Sequence, residues 1–217
     1  MTLTHPDESP INLERLRQRL PHWLQRFLPL GGGQHDDHHG KALFGFTVFL
    51  LSESMVFVSF FTAYIVLRLS TQNWLPSGIK GPELTPAVLI NSGVLVSSSV
   101  VIYFAERSLQ RGRLAQFRLR WLATSAMGAY FLMGEIREWM GLDFGLTTGL
   151  VGGTFYLLTG FHGLHVTVGI LLQLLMLGRS FLPQNYADGH FGISAVSLFW
   201  HFVDIIWIIL FSLIYLW

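Results

Sequence analysis

From residue 41 onward the chain alternates long apolar runs with short polar gaps, and the runs predict five membrane-spanning helices. They fall at about 41–69, 85–106, 117–140, 147–177 and 191–217. A helix of about 20 predominantly apolar residues crosses a bilayer, and each run reaches that length. The fourth is long enough to tilt. Proline and glycine mark the gaps, as at Pro76-Ser77-Gly78 and Gly81-Pro82. Ahead of these runs the pattern changes. Leu13, Leu16, Leu20, Leu24 and Phe27 recur at spacings of three and four, with Arg15, Arg17, Arg19 and Arg26 between them. That pattern predicts an interfacial amphipathic helix over 11–30, bent near Pro21. Gly31, Gly32 and Gly33 follow as a joint, and then a linker of His35, Asp36, Asp37, His38 and His39. The expected organisation is a cytoplasmic arm over 1–40 and a five-helix transmembrane domain over 41–217. The fold class is an all-α integral membrane protein.

Composition supports the membrane reading. Charged residues make up 12% of the chain and hydrophobic ones 51%; soluble domains carry about 25% charge. The absence of cysteine excludes disulfides, iron–sulfur clusters and thiolate metal sites. A net charge of +1 argues against a nucleic-acid partner. The first 30 residues show no signal-peptide core, so the chain is expected to enter the membrane through its first internal helix and keep it. Positive charge then sets the orientation. The arm holds Arg15, Arg17, Arg19, Arg26 and Lys41; the gap after the second helix holds Arg107, Arg111, Arg113, Arg118 and Arg120; Arg179 follows the fourth. Only Arg68, Lys80 and Arg137 lie on the other side. The N-terminus is therefore expected in the cytoplasm and Trp217 on the outer side.

Ionisable residues inside the spans are costly and usually face protein or water. Glu53 lies about 16 Å into the first helix, His201 at a similar depth in the fifth, and His165 about 20 Å into the fourth, by helix rise. Asp204 and His162 sit a little deeper. His162 and His165 are three apart, as are His201 and Asp204, so each pair shares a helix face. The expectation is a buried polar network of Glu53, His162, His165, His201 and Asp204 that fixes the bundle. Proton handling is a second reading of the same residues, and a b-type haem held by two of the histidines a third. The bulky neighbours in Phe199-Trp200-His201-Phe202 argue against haem. The His-rich linker reads as solvated rather than metal-binding, because the flanking glycines give no fixed geometry.

Small residues are expected to pack helices closely: Ser92, Gly93, Ser97, Ser98 and Ser99 in the second, and Gly145, Gly149, Gly153, Gly160 and Gly163 in the fourth. Glu135, Arg137 and Glu138 read as an interfacial charge group beside Trp139. Tyr215 and Trp217 read as interface anchors, and Trp200 and Trp207 as packing residues.

Three segments carry a resemblance. Phe49-Leu50-Leu51-Ser52-Glu53-Ser54-Met55-Val56-Phe57, Gly160-Phe161-His162-Gly163-Leu164-His165-Val166 and Trp200-His201-Phe202-Val203-Asp204-Ile205-Ile206-Trp207 resemble motifs of cytochrome c oxidase subunit III, in the family's order and spacing. The resemblance runs from about residue 40 to 217 and matches the five-helix bacterial form rather than the seven-helix one. Ser194, Phe199 and Glu135 stand where Glu, Tyr and Gln are common. Glu135, Phe199 and the His-rich arm lean toward a quinol oxidase, and Ser52-Glu53 toward a cytochrome c oxidase. The accessory subunit of nitric oxide reductase shares the same motifs. The resemblance implies a cofactor-free accessory subunit of a proton-pumping oxidase that reduces oxygen to water. It implies haem and copper in partner subunits, subunit I as the main contact, and subunit II in the same complex. It also implies bound phospholipid, with Arg179 and His190 placed where lipid phosphates would bind, and a bacterial plasma or internal respiratory membrane. An independent cytochrome and a small transporter built on Glu53 and Asp204 remain as readings of another class. No inverted repeat supports the transporter.

Overall fold

The computed structural model describes residues 37–182 and 191–217, with side chains from residue 44 onward. The expected amphipathic helix over 11–30, His35 and His190 lie outside the described residues. The chain divides into two compact units between Leu51 and Ser52, within the first helix, and the contacts given below lie in Ser52–Trp217.

Five helices follow one another: α1 Asp37–Ser70, α2 Pro86–Gln110, α3 Leu114–Gly141, α4 Gly149–Arg179 and α5 Phe191–Phe211. A π-helical turn, Ser212–Leu216, extends α5. Among the described residues there is no strand. The starts of α1 and α4 differ from the apolar pattern. The helix α1 begins at Asp37 and so takes in His38 and His39, which the sequence assigns to a linker. Conversely, α4 begins at Gly149, leaving Gly145 in the preceding loop. Gly149 has φ 60°, a left-handed conformation that glycine adopts without steric cost. At the start of α2, Thr85 accepts the Val88 N–H at 3.3 Å, and Pro86 occupies the first turn, where no N–H is needed.

Four helical stretches are long and apolar enough to cross a membrane: Phe44–Ser70, Pro86–Gln110, Gly149–Arg179 and Phe191–Leu216. The exception is α3, whose 28 residues give it ample length but whose two ends are charged. Those charges are largely accounted for inside the protein. Arg118 donates to the Ser180 carbonyl and, at 3.1 Å, to its hydroxyl. Arg120 donates to the Ser108 hydroxyl and, at 3.0 Å, to the Phe104 carbonyl. The direction of α3 follows from its partners. Arg120, near its start, meets the end of α2, and Phe131, nearer its end, meets Asn91 near the start of α2. The two helices are antiparallel along their length.

Trp200 of α5 sits at the centre. It is fully buried, and its Nε1 donates to the Ser98 hydroxyl of α2 at 2.7 Å. Its ring lies against Gly128 of α3 and Gly169 of α4, where an added Cβ would come within 2.5 Å and 2.8 Å of indole carbons. Three helices thus converge on the indole of a fourth, and two of them are glycine there because the ring leaves no room. Gly160 and Gly163 also serve packing, against Trp139 and Glu135, as the sequence predicts. Gly145 and Gly149 do not share that role, since the first is outside the helix and the second opens it. The helix α1 joins through aromatic side chains. Phe57 meets Phe161, His165 and Phe202 with ring centroids 5.4, 5.0 and 6.2 Å away.

Candidate functional site

The five residues expected to form one buried network fall into three separate groups. In the first, Glu53 of α1 meets His165 of α4, with Oε2 3.3 Å from Nε2. The other ring nitrogen, Nδ1, lies 2.8 Å from the Phe161 carbonyl oxygen. A carbonyl only accepts, so Nδ1 carries hydrogen and donates. A hydrogen bond between Nε2 and Oε2 needs one proton, which either group can carry. On the carboxyl it gives a neutral pair, and on the imidazole an ion pair. The helix turn from Phe161 to His165 fixes the ring and aims Nε2 at α1. The Glu53 side chain remains 25% exposed, so the pair lies at the edge of the bundle rather than at its centre.

The second group bridges α2 and α5. The Ser99 hydroxyl contacts the Asp204 carboxyl and lies 3.0 Å from His201 Nδ1. A hydroxyl has one hydrogen to give and two lone pairs to accept with. Ser99 can therefore pass a hydrogen-bond chain from His201 to Asp204 while holding the two helices together. Ser99 reads from sequence only as a small packing residue. Its bridging role shows once α2 is seen to pack on the face shared by His201 and Asp204.

His162 forms the third group alone. It is fully buried, and neither ring nitrogen has a hydrogen-bond partner among the described residues. Its ring stacks on Trp207 at 4.9 Å and meets the Phe131 edge at 5.7 Å. Aromatic rings pack against both imidazoles, Phe131 and Trp207 on His162 and Phe57, Phe161 and Phe199 on His165. Among the described residues no group of three His, Asp or Glu converges as a metal cage.

Glu135 departs from its reading as an interfacial charge. It is buried at 4% exposure, and its Oε2 lies 3.1 Å from where a Cβ on Gly163 would sit. Residues 131, 135 and 138 share the inward face of α3, whereas Arg137 points outward. Glu138 accepts the Tyr215 hydroxyl at 2.5 Å, so Tyr215 ties α5 to α3 rather than standing free at the interface. Sequence reading also missed Gln173, which is fully buried. Its carbonyl accepts Trp121 Nε1 at 2.8 Å and its side-chain oxygen accepts the Ser125 hydroxyl at 2.8 Å. A lone Gln within Leu171-Leu172-Gln173-Leu174-Leu175 was the available signal. Arg179 lies exposed at the end of α4.

Residues 28–217 match the family model described as cytochrome c oxidase subunit III. The chain is 44% identical over 189 residues to a protein named cytochrome c oxidase subunit 3 from Synechocystis sp. (strain ATCC 27184 / PCC 6803 / Kazusa), covering 85% of this chain and 80% of that one. It is 41% identical over 181 residues to the protein of that name from Thermostichus vulcanus, covering 83% and 89%. The protein of that name from Papio hamadryas is 36% identical over 191 residues, covering 85% and 73%.

Proposed function

The chain belongs to the cytochrome c oxidase subunit III family, and from that premise we propose how it serves its complex. It is a membrane-embedded, non-catalytic accessory subunit of the respiratory terminal oxidase. In our reading it packs chiefly on subunit I, in a complex that also holds subunit II, and haem and copper reside in those partners. The N-terminus lies in the cytoplasm and Trp217 on the outer side of a bacterial plasma or internal respiratory membrane. Phospholipid binds at the cytoplasmic end, with Arg179 and His190 near its phosphate.

The observation that carries the reading is the Glu53–His165 pair. It joins two of the three motif-bearing helices and remains partly open at the bundle edge. Such a pair stiffens α1 against α4 and offers a place for a proton near the partner surface. Ser99, His201 and Asp204 do the same for α2 and α5.

The test is to purify the chain in mild detergent and identify what accompanies it. A larger haem-bearing subunit is expected. Removing this chain from that complex should leave the initial rate of oxygen uptake largely intact and hasten inactivation over many turnovers. One haem per chain in the separated subunit, bound through His162, His165 or His201, would overturn the proposal.

A further inference from the structure

The helix α5 keeps one strip of its length uncovered. Successive residues on a helix are turned by about 100°, so neighbours in sequence aim at different partners. His201 turns to α2, where its Nδ1 lies 3.0 Å from the Ser99 hydroxyl. Phe202 turns to residues 52–70 of α1, where its ring lies 6.2 Å from that of Phe57. Leu198, Ile205 and Ile209 project between these two directions, and they are 37%, 58% and 41% exposed. The strip is therefore the floor of an apolar groove, with α2 on one side and α1 on the other.

Two polar groups open onto the α2 side of this groove. The first is His201. It lies ten residues past the start of α5. By helix rise that is about 15 Å in, near the middle of a hydrocarbon core about 30 Å thick. Among the described residues its Nε2 has no hydrogen-bond partner, and the side chain is only half-buried, so this nitrogen reaches the flank of the chain. The second is Glu106, nearer the end of α2. It accepts the Ser194 hydroxyl at 2.6 Å, is half-buried, and among the described residues pairs with no Lys or Arg. Glu106 and Ser99 are two turns apart on α2, and Ser194 and His201 are two turns apart on α5. The carboxylate and the imidazole thus stand about 10 Å apart along the bundle. Ionisable groups at membrane depth face protein or water. An acyl chain offers neither a hydrogen bond nor a charge, and a lipid headgroup does not reach the level of His201.

We propose that this groove is the docking site for one transmembrane helix of the haem-bearing partner subunit. That helix carries a hydrogen-bonding side chain, such as Ser, Thr, Asn or Gln, level with His201. It carries a Lys or Arg two turns nearer the cytoplasm, level with Glu106, and lays its apolar residues on Leu198, Ile205 and Ile209. The inference rests on the accessory-subunit reading and adds to it the face that is used and the pattern the partner presents. A spanning helix is the form required, because it satisfies its own backbone while bringing a side chain to mid-depth. The unpaired carboxylate decides which end holds the cation. A second copy of this chain, in the same orientation, would set Glu106 against another carboxylate.

The experiment uses the intact oxidase complex. A photocrosslinking amino acid replaces Ile205 in the groove or, as a control, Leu171, which is 60% exposed on α4. Products are mapped by mass spectrometry. The Ile205 site is expected to capture the haem-bearing subunit, on a helix with a Lys or Arg two turns to the cytoplasmic side of a hydrogen-bonding residue. The Leu171 site is expected to capture it far less. Glu106→Gln should weaken association about 10-fold, the effect of one lost charge-assisted contact, measured by subunit exchange in detergent. His201→Phe should weaken it similarly, and His201→Gln, which keeps a hydrogen-bonding group, should weaken it less. Each variant is melted first, so that a folding defect is not read as a docking one, and the crosslinking result stands without them. Capture at Ile205 of a second copy, of a subunit without haem or of lipid alone, capture from Leu171 instead, or unchanged association of folded Glu106→Gln would each overturn the proposal and leave the accessory reading intact. Failure of any haem-bearing subunit to co-purify would overturn both.

Discussion

Glu53 and His165 meet at 3.3 Å, so the two simplest substitutions at Glu53 separate charge from contact. In Glu53→Gln the carboxamide can still donate to His165 Nε2, and the contact survives without a titratable proton. In Glu53→Ala the nitrogen loses its partner, at a cost of about 1–3 kcal/mol, toward the lower figure because this edge of the bundle is partly open. Initial oxygen uptake should therefore stay near wild type for Glu53→Gln. Glu53→Ala should show weaker association with the catalytic subunit or faster loss of activity over many turnovers. The readout is oxygen uptake at first mixing and after prolonged turnover, on complexes with matched haem content. A Glu53→Gln complex that is fully assembled yet inactive from the start would make Glu53 directly catalytic and sink the accessory reading.

At the scale of the helices, Trp200 is the element that sets spacing. Gly128 and Gly169 are not merely small; each lies so close to the indole that a methyl group must displace a fully buried ring. Overpacking of this kind typically costs about 1–3 kcal/mol. Gly169→Ala should lower the temperature at which the subunit dissociates from its complex. Trp200→Phe gives up the bond to Ser98 but shrinks the ring, so adding it to Gly169→Ala should restore part of the loss. Simple additivity of the two losses in a melting experiment would show that the glycine and the tryptophan are not coupled as described.

For the whole molecule, helix direction can be tested directly, since the chain contains no cysteine. The antiparallel succession places the connection after α2 and the connection after α3 at opposite ends of the bundle. Gln110→Cys and Gly145→Cys therefore report on two different sides. With the cytoplasmic arginines holding the first side inward, an impermeant maleimide should label Gly145→Cys in intact cells and Gln110→Cys only after permeabilisation. Labelling of both from outside would remove α3 as a span, and the reverse pattern would invert the orientation.

Hydrophobic run length alone was enough to place the described helices to within a few residues, because a bilayer demands about 20 apolar residues per crossing whatever they pack against. The three motifs, local in sequence, were likewise legible, and with them the family. Packing sets Glu53 level with His165, and Ser99 level with His201 and Asp204. Rotation about each helix axis was not legible, because in lipid both faces of a span can be apolar and the pattern no longer marks the inside. Tertiary packing alone decided that Glu53 pairs with His165 while His162 stacks on Trp207. It turned Glu135 inward against Gly163 and drew Ser99 between His201 and Asp204. It also laid the exposed strip of α5 between α1 and α2, segments far apart in the chain that no local pattern could bring together.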